Sequence, residues 1–165
     1  MGLSIIDRTT GTNIGDMTVD GGLAAAFDGD TSQGLSDCAR VDAANGYVGK
    51  TLAVRAKFGR ATIYGGDGSG SATGFVGGSN PSVTINIRGK QGAAPSGRTD
   101  GTVVGTITFT DTGDESAGRV ISSTNLQTEW DHLWAEVTTS GGANLRVAEL
   151  ALERFFVGGM IAALL

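Results

Sequence analysis

Val83-Thr84-Ile85-Asn86-Ile87-Arg88 changes from apolar to polar at every residue. An extended strand gives such a run one apolar and one polar face, because successive side chains in a strand point to opposite sides. The same period of two recurs in Leu52–Lys57, where Leu52, Val54 and Ala56 oppose Arg55 and Lys57. It recurs in Val103–Thr110, where Val103, Ile107 and Phe109 oppose Thr106, Thr108 and Thr110, and again in Leu133–Thr138. Ala61–Tyr64 reads as a further short strand. Leu145–Leu152 fits a strand or, through Leu145, Ala148 and Leu152, a helix; the strand-rich surroundings select the strand. Residues 1–20 are polar and turn-rich with little periodicity. Half-buried strands need a second layer, so the expected fold is all-β: an antiparallel two-sheet β-sandwich or jelly roll. Its expected core contains Ile85, Ile87, Ile107, Phe109 and Val137.

The segments between these runs are turns. The 165 residues include 28 glycines, well over twice the ~7% average, and only 2 prolines. Glycine supplies the positive φ that tight hairpins need. No G-X-Y period is present, and 39% apolar residues is too many for a disordered chain. The length suits one domain, drawn here as residues 1–154 with an apolar segment, 155–165, behind it.

Charge and cysteine usage exclude several functions. The net charge is −5, and the 12 basic residues are scattered. A nucleic-acid groove needs them clustered to displace counterions, so nucleic acid is not an expected partner. Cys38 is the single cysteine and cannot form an internal disulfide. The first residues lack the charged-then-apolar layout of a secretion signal, which points to folding in a reducing cytosol. The longest uncharged apolar stretch, Phe155 to Leu165, is shorter than the ~20 residues of a membrane span.

Enzyme signatures are missing. The chain has one histidine, His132, and neither a nucleophile elbow nor a phosphate-binding loop. Asp131 and His132 are adjacent, and on a strand they face opposite ways, which is wrong for a catalytic pair. No catalytic residue is assigned. Asp28-Gly29-Asp30-Thr31-Ser32 is rich in the oxygen ligands a hard cation such as Ca²⁺ prefers. The same residues can simply reverse the chain as an Asx turn.

Several stretches together resemble the discoidin-type, galactose-binding-like jelly-roll domains. They are Ala26-Phe27-Asp28-Gly29-Asp30, Asn45-Gly46-Tyr47-Val48-Gly49-Lys50, Trp134-Ala135-Glu136-Val137 and Arg146-Val147-Ala148-Glu149-Leu150, spanning about Leu23 to Leu152. The resemblance implies a structural calcium ion held by Ala26, Asp28, Asp30 and Glu149. Gln33 and Leu35 stand where that family carries a hydroxyl residue and a tryptophan. Sugar-binding members present aromatic rings and polar forks on loops. Tyr47, Tyr64, Phe75, Arg98, Trp130 and His132 are the candidates here, with Trp130 as platform and Arg98 and His132 as polar readers.

Two functions are expected. The first is a structural module of a tailed-bacteriophage virion, assembled in the host cytoplasm against other virion proteins or copies of itself. Phe155, Phe156, Met160 and Leu164 would be its docking anchors. The alternative is a carbohydrate-binding module or adhesin that recognises a cell-surface glycan.

Overall fold

The computed structural model describes residues 2–31, 37–67, 74–76, 81–142 and 144–156. One strand organises it. β5 runs over Asn45–Tyr64, joining what read as two separate strands. Its first part pairs on one side with β2 (Thr12–Gly15) and on the other with β9 (Glu129–Thr139). Its second part pairs with β11 (Glu149–Phe156) and β8 (Arg119–Ser122). Between Thr51 and Ala56 the ladder to β9 is interrupted, and there β5 bends from one sheet into the other. The bend turns Val54 out to solvent, so the alternation read over Leu52–Lys57 fails at that residue.

The sheet holding the first part of β5 continues through β9 to β6 (Ser82–Lys90) and β7 (Thr102–Thr110). The other ends in β1 (Gly2–Ile5), which pairs with β11. β3 (Val19–Asp20), β4 (Ala39–Val41) and β10 (Leu145–Val147) form a small third sheet, and α1 (Gly22–Ala25) is a single turn. All pairings are antiparallel, as expected. β1, β2 and β3 were not legible because they are short and take their order from partner strands. The Leu145–Leu152 segment is strand, divided at Ala148, whose N–H donates to the Tyr64 carbonyl at 2.8 Å. No helix among the described residues is long and apolar enough to cross a membrane.

Ile85, Ile87 and Val137 are fully buried, while Ile107 and Phe109 pack partly buried against that core. β7 departs from the expected pattern. Its register with β6 shifts between Ile87 and Arg88, so Val104 is the extra residue of a bulge. Val104 points into the core, and Val103 is 41% exposed. A bulge moves one residue to the other face, and simple alternation cannot anticipate it.

The last strand extends to Phe156, past the point where the apolar tail was drawn. Phe155 pairs with Leu3 and Phe156 with Gly2, so both belong to this chain's own sheet. Met160 and Leu164 lie outside the described residues.

Truncation tests the bulge. Val104→Ala should cost about 1.5–3 kcal/mol in urea unfolding, the value of a buried valine. Val103→Ala should stay within about 0.5 kcal/mol. Equal effects would contradict the register.

Candidate functional site

The loop from Gln91 to Gly101 joins β6 to β7 and lies across the outer face of the sheet. Many contacts fix it there. His132 Nε2 meets the Gly92 carbonyl at 2.9 Å, and His132 Nδ1 meets Thr51 Oγ1 at 2.8 Å. The Gly92 N–H donates to Asp131 Oδ2 at 2.7 Å. Trp134 Nε1 donates to the Arg98 carbonyl at 2.8 Å. Arg88 Nη1 donates to the carbonyls of Thr99 and Gly101, at 3.2 and 2.9 Å. Lys90 pairs with Asp100 at 2.6 Å, and Asp100 also accepts from the Ser96 N–H and hydroxyl. The Lys90 ammonium and those Ser96 donors hold the Asp100 carboxyl well below the usual range. A loop tethered at both ends and in its middle is a rigid rim.

Beside the rim is a polar row across the sheet. Tyr47 on β5, Glu136 on β9 and Asn86 on β6 are register partners and share the outer face. Glu136 is the most enclosed member of the row, its side chain only 6% exposed. Its Oε2 accepts from Arg88 Nε at 2.7 Å and Asn86 Nδ2 at 3.2 Å. Its Oε1 faces Arg98 Nε at 3.6 Å, beyond hydrogen-bond reach. Arg98 Nε is buried without a hydrogen-bond partner, though the side chain as a whole is 40% exposed. Asp16 closes the row, accepting the Tyr47 N–H at 2.8 Å. Desolvation pushes the Asp16 carboxyl up, and the Tyr47 N–H and the Arg98 guanidinium act against it. Burial, then Asp16, pushes the Tyr47 phenol up. Two guanidiniums, two carboxylates, an amide and a phenol thus meet in one small area, with donors beside acceptors.

The three expected sugar-reading residues fare differently. Trp130 is a strand residue of β9 and only 5% exposed. Its ring lies against Gly89, where an added Cβ would sit 2.4 Å from it. A ring so enclosed cannot serve as a stacking platform, which corrects the loop assignment. His132 is buried in the same strand with both ring nitrogens engaged, so it supports the rim and is not free to read hydroxyls. Arg98 alone reaches the surface. Glu136, Asn86 and Arg88 were not singled out from sequence. Alternation put Asn86 and Arg88 on an outer face, but the row exists only through β5–β9–β6 pairing.

The early loop brings Glu149 to the Asp28–Asp30 turn. Glu149 is buried, and its Oε2 accepts the Gly29 N–H at 3.0 Å. Arg8 Nη1 stands 3.1 Å from its Oε1 as an ion pair, without the alignment of a hydrogen bond. Burial pushes the Glu149 carboxyl up, against the Gly29 N–H and the Arg8 charge. Gly29 has φ +91°, a backbone conformation that favours glycine. Asp28 Oδ1 accepts the Asp30 N–H at 2.8 Å, the Asx turn. The Ala26 carbonyl accepts the Leu150 N–H at 2.8 Å. Gln33 and Leu35 lie outside the described residues.

Calcium takes six to eight oxygens. Among the described residues no group of three His, Cys, Asp or Glu side chains converges to hold a metal. The positive charge beside Glu149 comes from Arg8. The described arrangement therefore does not fit the implied calcium ion.

Two antiparallel sheets joined through a bent strand, with the loops between them, define a galactose-binding-like β-sandwich. No protein-family model matches the sequence, and no curated protein is similar to it. Solved structures share its fold. The family 32 carbohydrate-binding module of NanJ from C. perfringens, in complex with galactose, matches with a TM-score of 0.63 and 14% identity. That match covers 92% of this chain and 99% of that one. A fucose binding module from Streptococcus pneumoniae matches with a TM-score of 0.61 and 14% identity, over 94% and 99%. The family 32 module of AlyQ, in complex with 4,5-unsaturated mannuronic acid, matches with a TM-score of 0.59 and 15% identity, over 88% and 95%. At these identities the likeness is one of fold.

Melting with and without calcium checks the Arg8 pairing. Neither added Ca²⁺ nor chelator should move the wild-type melting temperature. Arg8→Ala should lose about 1–3 kcal/mol, less than a fully dry pair because Arg8 is 31% exposed. A rise with Ca²⁺ would restore the ion.

Proposed function

We propose that this chain is a non-catalytic carbohydrate-binding domain. The observation that carries the reading is the fold. Its likeness extends over nearly the whole of this chain and of modules solved with galactose or an unsaturated mannuronic acid bound. The surface chemistry agrees with it. Sugars are read by hydroxyl contacts, and fixed donors next to fixed acceptors suit that task. A rigid rim also lowers the ordering cost of binding.

The partner is a glycan of a cell surface or matrix, and no chemical step is needed. His132, the one histidine, is occupied in holding the rim. The assembly reading is the less supported one. Two of its four anchors, Phe155 and Phe156, pair with β1 of the same chain. Its virion setting rests on fold-level analogy and on the apolar composition of residues 155–165.

A glycan array probed with the tagged full chain tests the proposal, followed by calorimetry on the best hit. Saturable binding to a restricted set of sugars, at micromolar to millimolar dissociation constants, is the expected result. An array without hits, confirmed by calorimetry at millimolar galactose, fucose and oligomannuronate, would overturn it.

A further inference from the structure

Resting on the carbohydrate-binding reading, we infer that the sugar lies on the outer sheet face between the Gln91–Gly101 rim and Tyr47, where Arg98 and Glu136 read hydroxyls of an uncharged glycan.

The first support is a carboxylate in an uneconomical place. Glu136 is almost fully buried on the face of the sheet that carries Thr84, Thr106 and Thr108. Arg88 and Asn86 saturate Oε2 alone. Oε1 receives no hydrogen bond from either, and the nearest donor, Arg98 Nε, is 3.6 Å away and itself unpartnered. Arg98 Nε is thus a buried donor left unjoined, which costs free energy. A small rotation of the exposed Arg98 head lets one hydroxyl accept from the guanidinium and donate to Oε1. A sugar hydroxyl does both at once, whereas a carboxylate or phosphate can only accept.

The second support is the balance of charge. Arg88 and Arg98 are offset by Glu136 and Asp16 in the same row. An anionic sugar brought against Arg98 would meet the Glu136 and Asp16 carboxylates, and unpaired like charges disfavour it. An uncharged sugar meets alternating donors and acceptors without that penalty.

The third support is rigidity. The Arg98 carbonyl is held by Trp134 Nε1, and Arg88 grips the rim at Thr99 and Gly101. The backbone of Arg98 is fixed while its guanidinium is partly free, which is the arrangement of a positioned reader. Trp134 lies directly beneath, so its fluorescence reports on the rim.

The test compares Arg98→Ala and Arg98→Lys with Asp42→Ala, an exposed residue of the Val41–Asn45 turn outside this row. Calorimetry and tryptophan emission are read with the best array hit. Arg98→Ala should weaken binding about tenfold or more, as for a lost charged hydrogen bond, with an unchanged melting temperature. Arg98→Lys should recover only part, because an ammonium lacks the planar fork. It also serves should the alanine variant fail to fold. Asp42→Ala should bind as wild type, and neutral sugars should outcompete oligomannuronate. Full binding by both Arg98 variants, or hits confined to anionic glycans, would overturn this site while leaving carbohydrate binding intact. Absence of any wild-type binding would instead overturn the function itself.

Discussion

The bend in β5 is the constraint on which the rest depends. A strand that pairs with β9 in one half and with β11 in the other belongs to both sheets. The two sheets therefore share a covalent edge, and their apolar faces are brought together by the chain itself. Val48 and Phe58, one on each side of the bend, are both fully buried in the common core. Hydrophobic burial supplies the drive, but the bend decides which faces are inside. Every outer-face residue, Tyr47 and Glu136 included, inherits its position from that decision.

Charge is handled unusually by this acidic chain. Several of its carboxylates are sunk into the structure and each is gripped locally. Asp111 accepts the N–H groups of Phe75 and Val76, and Glu115 takes both arms of Arg119. Glu136 and Glu149 are treated likewise by Arg88 and Arg8. Such buried pairs add little net stability, since desolvation offsets much of their attraction. Their effect is geometric: they hold particular loops in particular places. Asp111 and Glu115 serve one end of the sandwich, Glu149 the early turn, and Glu136 the rim. Beside Glu136, the Arg98 guanidinium keeps its Nε–H unjoined while the side chain reaches the surface, which suits a binding row.

The aromatic residues illustrate how local reading can mislead. Trp130-Asp131-His132 resembles a polar, aromatic turn, the kind of segment that stacks on a sugar. In the fold it opens β9, and Trp130 and His132 are buried while Asp131 pairs with Arg55 at 2.6 Å. Gly89 on the neighbouring strand makes room for the Trp130 ring, and that neighbour lies far away in sequence. The same holds for Arg8 and Glu149, whose ion pair joins opposite ends of the chain.

The sequence by itself determined the strand content, the antiparallel layering and most of the core. Those properties are periodic, and a period of two is written residue by residue in Val83–Arg88 and Leu133–Thr138. The resemblance of Ala26–Asp30 and Arg146–Leu150 to galactose-binding-like domains located the class of fold. Only the tertiary structure decided the bulge at Val104, the burial of Trp130 and the pairing of Glu149 with Arg8. It alone assembled Tyr47, Asn86, Arg98 and Glu136. The reason is common to all four: strand register and loop placement are set by pairings between distant segments. A side chain's neighbours across a sheet leave no local trace in its own run of sequence.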